Sequence, residues 1–244
     1  MRRSLILSFL LVVAVAVSPA HASAILDFGT GLAGAGGTVS YAGGSSALVG
    51  QGIRIGALTG FNTPANAGTY TVTGNSASYG VLNFKTGAYQ GFSNNAYQFA
   101  GGGYFEIFGN VAAAGVSGNA TGASGLGGGA LLLSGSFTGA QMSGNGVGGA
   151  VSFFTPTGFD TKNAQLVDFF GLAANTLFAL SGYSVEVGNV PGNGAPFTSF
   201  ALGSTDIANT AVPEPASLLM LGSGLTFLGS AIRRRRRMMM GPRS

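Results

Sequence analysis

The chain has 244 residues, of which only 7% are charged, and its formal charge of +4 does not describe its surface. From Ser23 to Val212 the bases are Arg54, Lys85 and Lys162 against the acids Asp27, Glu106, Asp160, Asp168, Glu186 and Asp206, which leaves that body at −3. Three scattered cations cannot neutralise phosphates along one face, which excludes nucleic-acid binding, and a body without Cys or His has no thiol or imidazole chemistry and none of the zinc or copper sites built on them.

Residues 1–22 read as a secretory signal. Arg2 and Arg3 give the basic start, Leu5 to Val17 is an uncharged, apolar run with Ser8 as its one polar residue, and Ser18-Pro19 breaks the helix before the small-residue site Ala20-His21-Ala22. Cleavage after Ala22 removes the sole histidine; cleavage after Ala24 satisfies the same small-x-small rule. An exported domain without cysteine has to hold together by core burial alone.

The body, 23–202, is glycine-rich, with short apolar runs punctuated by Gly, Asn, Ser and Pro. Ala24 to Phe28 is the first predicted strand, followed by a glycine-rich stretch to Gly44. Leu48 to Leu58 is the second, with Val49, Ile53 and Ile55 inward and Arg54 facing away; Gly68 to Thr73 and Tyr79 to Phe84 follow. Tyr97 to Phe108 carries large apolar residues on both faces, as a doubly covered central strand does. Gly109 to Gly129, with no aromatic and no charge, reads as a flexible connection or a poorly packed edge. Strands resume at Ala130 to Thr138 and Ala150 to Thr155. Between Thr161 and Gly171 the period shortens to that of a helix, with Asp160 placed to serve its N-terminus and Gly171 its C-terminal cap. Leu177 to Val187 alternates with Leu177, Ala179, Tyr183, Val185 and Val187 inward, Phe197 to Leu202 is the last strand, and residues 203–211 are a polar linker. About nine strands and one short helix, without a fixed repeat, predict an all-β, antiparallel β-sandwich of jelly-roll or immunoglobulin-like type.

Catalytic and binding motifs are weak. Gly29-Thr30-Gly31-Leu32-Ala33-Gly34 fits a dinucleotide fingerprint, but so does Gly144 to Gly149, and no acid lies about 20 residues beyond the first to hold a ribose. Asp160 or Asp168 with Glu106 or Glu186 would supply a glycosidase carboxylate pair, although isolated acids are more often caps and solvated charges. The expectation is a protein that is not an enzyme and needs no metal or cofactor. Tyr89 to Tyr104 mixes aromatics with amides, the chemistry of sugar binding, so Tyr89, Tyr97 and Tyr104 are the candidate glycan contacts; Trp is absent.

The most specific signal is the tail, 212–237. Val212-Pro213-Glu214-Pro215 cannot continue a helix. Ala216 to Ile232 is a run of 17 residues without a charge, about 25 Å as a helix and at the short end of what spans a bilayer core. Arg233, Arg234, Arg235, Arg236 and Arg237 then stop the segment on the cytoplasmic side, and residues 238–244 trail behind.

These three elements in this order, paired with the N-terminal signal, resemble the PEP-CTERM sorting signal of Gram-negative bacterial exported proteins. The resemblance implies Sec export, a transient inner-membrane anchor with the body periplasmic, and recognition by an exosortase, an integral-membrane cysteine peptidase that cuts near the PEP motif. It implies a substrate of that peptidase at the cell surface or outside it, associated with extracellular polysaccharide and biofilm matrix. The rival expectations are a carbohydrate-binding adhesin and, further off, an exported hydrolase.

Overall fold

Alternation of apolar and small polar residues, broken every few positions by glycine or asparagine, makes strands and turns and almost nothing else of this chain. The structure, a computed structural model, describes residues 23–144, 148–154 and 159–212. They form one unit, Ser23–Val212, and the other unit, Met1–Ala22 with Pro213–Ser244, lies outside the described residues.

The strands are β1 (Ile25–Gly29), β2 (Thr38–Tyr41), β3 (Ala47–Ile55), β4 (Ala57–Phe61), β5 (Gly68–Thr71), β6 (Gly80–Ser93) and β7 (Ala96–Ala100). They continue with β8 (Tyr104–Gly109), β9 (Ala130–Gly135), β10 (Gly139–Ser143), β11 (Gly148–Phe154), β12 (Phe159–Lys162), β13 (Phe178–Gly188) and β14 (Phe197–Ala211), with one short helix, α1 (Ala164–Phe169). Every pairing is antiparallel. One sheet runs β5-β4-β1-β14-β13-β11-β10-β7-β6. The other runs β14-β2-β3-β6-β8-β9-β12. The long strands β6 and β14 contribute to both, and β12 meets β13 at one end and β9 at the other. A single cluster of buried side chains draws on both sheets, from Leu26 and Phe28 of β1 through Phe84, Phe105 and Leu132 to Val185 and Ile207. The all-β, antiparallel expectation with one short helix is met. Among the described residues no helix is long and apolar enough to cross a membrane; the expected signal helix (1–22) and the spanning segment (216–232) lie outside them.

Several boundaries differ from expectation for physical reasons. The predicted strand Leu48 to Leu58 is two, divided at Gly56, and Tyr97 to Phe108 is two, divided by the turn at 101–103. Bulges in β3 put Leu48 and not Val49 in the core. A further bulge between Leu180 and Gly182 shifts β13 by one residue, so Phe178 and Leu180 are buried with Tyr183, Val185 and Val187 while Leu177 is 46% exposed.

The predicted linker 203–211 is not a linker: it is the second half of β14, clamped between β1 and β13. Its inward positions are Thr205, Ile207 and Asn209, all buried. Only one of them is aliphatic, which hides the alternation from a hydropathy reading.

Residues 109–129 are not a loose connection either. Val111 and Val116 are buried, and the carboxylate of Glu106 in β8 accepts backbone N–H groups from Ala123 at 2.6 Å and Ser124 at 3.2 Å. A Cβ on Gly122 would collide with that carboxylate, so glycine there permits the close approach. The helix is capped by Asn163, whose side chain accepts from Gln165 N–H, and not by Asp160; Gly171 follows it at φ 70°, the left-handed position anticipated for it.

Candidate functional site

The described chain reaches the tail through β14. At its last rungs Ala211 N–H donates to Ala24 C=O at 2.8 Å and Val212 N–H donates to Leu177 C=O at 2.8 Å. Val212, the first residue of the predicted sorting motif, is therefore the final rung of the sheet. Pro213 has no N–H to extend the ladder. Ser23 and Val212 leave from the same end of the sheet, because β1 and β14 are antiparallel neighbours whose register pairs Ile25 with Thr210. Pro213, Glu214, Pro215, Arg233 to Arg237, and the signal-site residues Ala20 and Ala22 lie outside the described residues.

The first sheet's outward face around this exit is graded along the strands. Nearest the exit it carries Leu177, Val212, Ile25 and Phe61, with Phe61 49% exposed. Ala179, Thr210, Ile25 and Phe61 form one row across four strands. One residue pair further in comes Asp27, opposite Ala208, with Asp206 diagonal to it. Burial pushes the Asp27 carboxyl up to about 7, a side-chain hydrogen bond with Asp206 and that group's charge push the same way, and a backbone hydrogen bond from Ile207 opposes them. Asp27 Oδ1 is buried without a hydrogen-bond partner. Two carboxyl groups facing each other hold one proton more readily than none. This pair, 179 positions apart in the chain, has no local sequence signature.

The acids weighed for hydrolysis do not converge. Glu106 holds the 109–129 segment, Asp168 is exposed on α1, and Glu186 is exposed on β13. Asp160 is buried against Lys162: Nζ donates to Oδ1 at 2.7 Å, both side chains are wholly inaccessible, and Nζ lies 3.7 Å from the centre of the Phe178 ring. Burial lowers the Lys162 amine to about 8 and raises the Asp160 carboxyl, in each case against the pull of the partner charge. Desolvation so strong makes the pair a fixture of the core. Among the described residues no group of three or more acids could hold a metal ion.

The candidate glycan contacts also separate. Tyr97 is inside the core, and its hydroxyl lies 2.8 Å from Pro191 C=O and 2.9 Å from Ala195 C=O. Its ring belongs to a cluster with Tyr41, Tyr89, Phe92, Phe99 and Phe197. The expectation that Tyr97 touches a ligand is overturned by that burial. Tyr89 is half-buried in the same cluster, and Tyr104 is half-buried opposite Lys85 in the other sheet. The fingerprint-like stretch Gly29 to Gly34 makes only a three-residue 3-10 turn and opens no helix.

A family model described as the PEP-CTERM protein-sorting motif matches residues 211–237, so the chain carries that motif, and the match begins at the last residue of β14. The match bears out the resemblance read from the tail. No curated protein and no solved structure matches the chain.

Proposed function

We propose that this chain is an exported structural protein of the cell surface or extracellular matrix, which an exosortase cuts from a transient inner-membrane anchor. The observation that carries the reading is the sorting motif at 211–237, which begins at the last residue of β14. Export by the Sec route through residues 1–22 and anchoring through 216–232 would send both flanking segments to one membrane, and the paired exit of Ser23 and Val212 from one sheet end is compatible with that path. The two sheets, sharing β6 and β14 around one buried cluster, support a sandwich of jelly-roll or immunoglobulin-like type.

The body acts as a scaffold and not as a hydrolase. Its buried acids are committed to Lys162 and to the 109–129 backbone, and its sugar-compatible tyrosines are split between a core cluster and a separate strand. Matrix polysaccharide is the proposed surrounding. Intact-mass measurement of the secreted form tests the reading. The expected product ends near Pro213 to Pro215, and a secreted product that still carries Ile232 and the arginines would overturn it.

A further inference from the structure

The reach of the chain beyond Val212 constrains where the sheet end can lie once the tail is in a bilayer. Pro213, Glu214 and Pro215 separate Val212 from the uncharged run that starts at Ala216. Four residue steps of chain reach at most about 14 Å, so Ala216 lies within that distance of Val212. The headgroup layer on one side of a bilayer is about 5–7 Å thick, the difference between the full and hydrocarbon thicknesses shared between two faces. At full reach such a tether keeps the exit end within about 9 Å of that layer.

That end has the matching chemistry. Phe61 and Leu177 are 49% and 46% exposed, and Ile25 and Val212 are half-exposed between them. Their strands β4, β1, β14 and β13 are consecutive neighbours, so the apolar rim is about 14 Å across at the usual interstrand spacing. The described residues on the rim carry no charge. The acids of the same face, Asp27, Asp206 and Glu186, begin about 7 Å further from the exit, at two residues per step. Apolar residues at the tethered end and acids behind them favour one orientation, with the strands standing on the membrane.

We propose that the rim formed by Ile25, Phe61, Leu177 and Val212 rests on the headgroup layer of a phospholipid bilayer while the chain is anchored. This rests on the reading that residues 216–232 enter the bilayer. The rim gives the domain a fixed pose over the lipid, which presents the Val212–Pro215 segment at the membrane surface where an integral-membrane peptidase works.

The chain has no cysteine, so single labels can be placed without altering any other site. The full chain, with Phe61→Cys or Leu177→Cys carrying an environment-sensitive fluorophore, is reconstituted in phosphatidylethanolamine–phosphatidylglycerol vesicles. Ser152→Cys is the control, because it is exposed on the same sheet face but far along the strands from the exit. Flotation of the vesicles first establishes the tether. The expected result is blue-shifted emission at positions 61 and 177, with severalfold stronger quenching by headgroup-labelled lipid than at 152. Equal emission and quenching at all three positions in floated vesicles would overturn the proposal and leave the anchor standing. Failure of the chain to float would overturn the anchor and this inference together.

Discussion

Replacing Asp27 by Asn should remove that residue's share of the fall in the domain's stability between about pH 4 and 7. In the folded state the Asp27 carboxyl titrates at about 7 and not at the ordinary 3.8, because burial and the facing Asp206 disfavour its charge. A raised pKa means that the folded state keeps a proton which the unfolded state has lost. Stability is therefore full below about 4, falls as pH rises, and levels off once the folded carboxyl has ionised above about 7. A shift of that size is worth about 4 kcal/mol for a fully buried group. Asp27 is half-exposed, and solvent screening brings the expected loss to about 1–2 kcal/mol. Each kcal/mol moves the melting temperature of a domain this size by about 2–4 °C. Thermal melts of Ser23–Val212 should show wild type and Asp27→Asn equal near pH 4, with the variant about 2–8 °C higher near pH 8. The body has no histidine to titrate in the same window, the bases Arg54 and Lys85 sit in the other sheet, and the buried Lys162–Asp160 pair, whose carboxyl is also raised, contributes equally to both proteins. Asp206 and Glu186 are the other charges on that face. Parallel melting curves for the two proteins across the window would refute the argument.

Four other outcomes follow from named contacts. Glu106→Ala removes a buried acceptor of two N–H groups and should cost about 2–4 kcal/mol, with limited proteolysis shifting to the 109–129 segment. Lys162→Met strands the Asp160 charge in the core and should cost about 3–5 kcal/mol, whereas Lys162→Met with Asp160→Leu should recover most of it in denaturant melts. Tyr97→Phe should cost about 1 kcal/mol by loss of one buried hydrogen bond, and Tyr97→Ala about 3–5 kcal/mol, so loss of any glycan-array signal in Tyr97→Ala would report unfolding unless a melt shows the fold intact. Glu214→Ala, or deletion of Arg233 to Arg237, should leave the protein in the membrane fraction on cell fractionation; normal release of both variants would contradict the sorting role.

The fold class was legible because strand alternation survives even where glycine dilutes it. What the sequence concealed was strand number and strand ends. Gly56 and the residues 101–103 look like interruptions within long strands but are the turns between separate ones. Thr205 and Asn209 look like linker residues because burial of a polar side chain depends on a neighbouring strand that is remote in sequence. The bulge in β13 inverted the inward assignment of Leu177, since an inserted residue exchanges the faces on one side of it. The sorting motif stood out for the opposite reason: its proline, apolar and arginine elements act through their order along the chain and need no partner strand.

The merging of linker and strand changes what the sorting motif is attached to. A polar linker of nine residues would have let the motif wander tens of ångströms from the domain, leaving the peptidase to find a free peptide. With Val212 N–H bonded to Leu177 C=O, Pro213 of the motif follows the sheet directly in sequence. Pro213 ends the ladder because it has no N–H, and Pro215 disfavours helical backbone at Glu214 before it. Each added residue between Ala211 and Val212 should then lengthen the tether without changing Val212-Pro213-Glu214-Pro215. Insertion of a Gly-Ser segment there is the cleanest way to separate recognition of the peptide from the pose of the domain. If processing depends on pose, the insertion slows cleavage while leaving the motif intact; if it depends on peptide alone, cleavage is unchanged or faster.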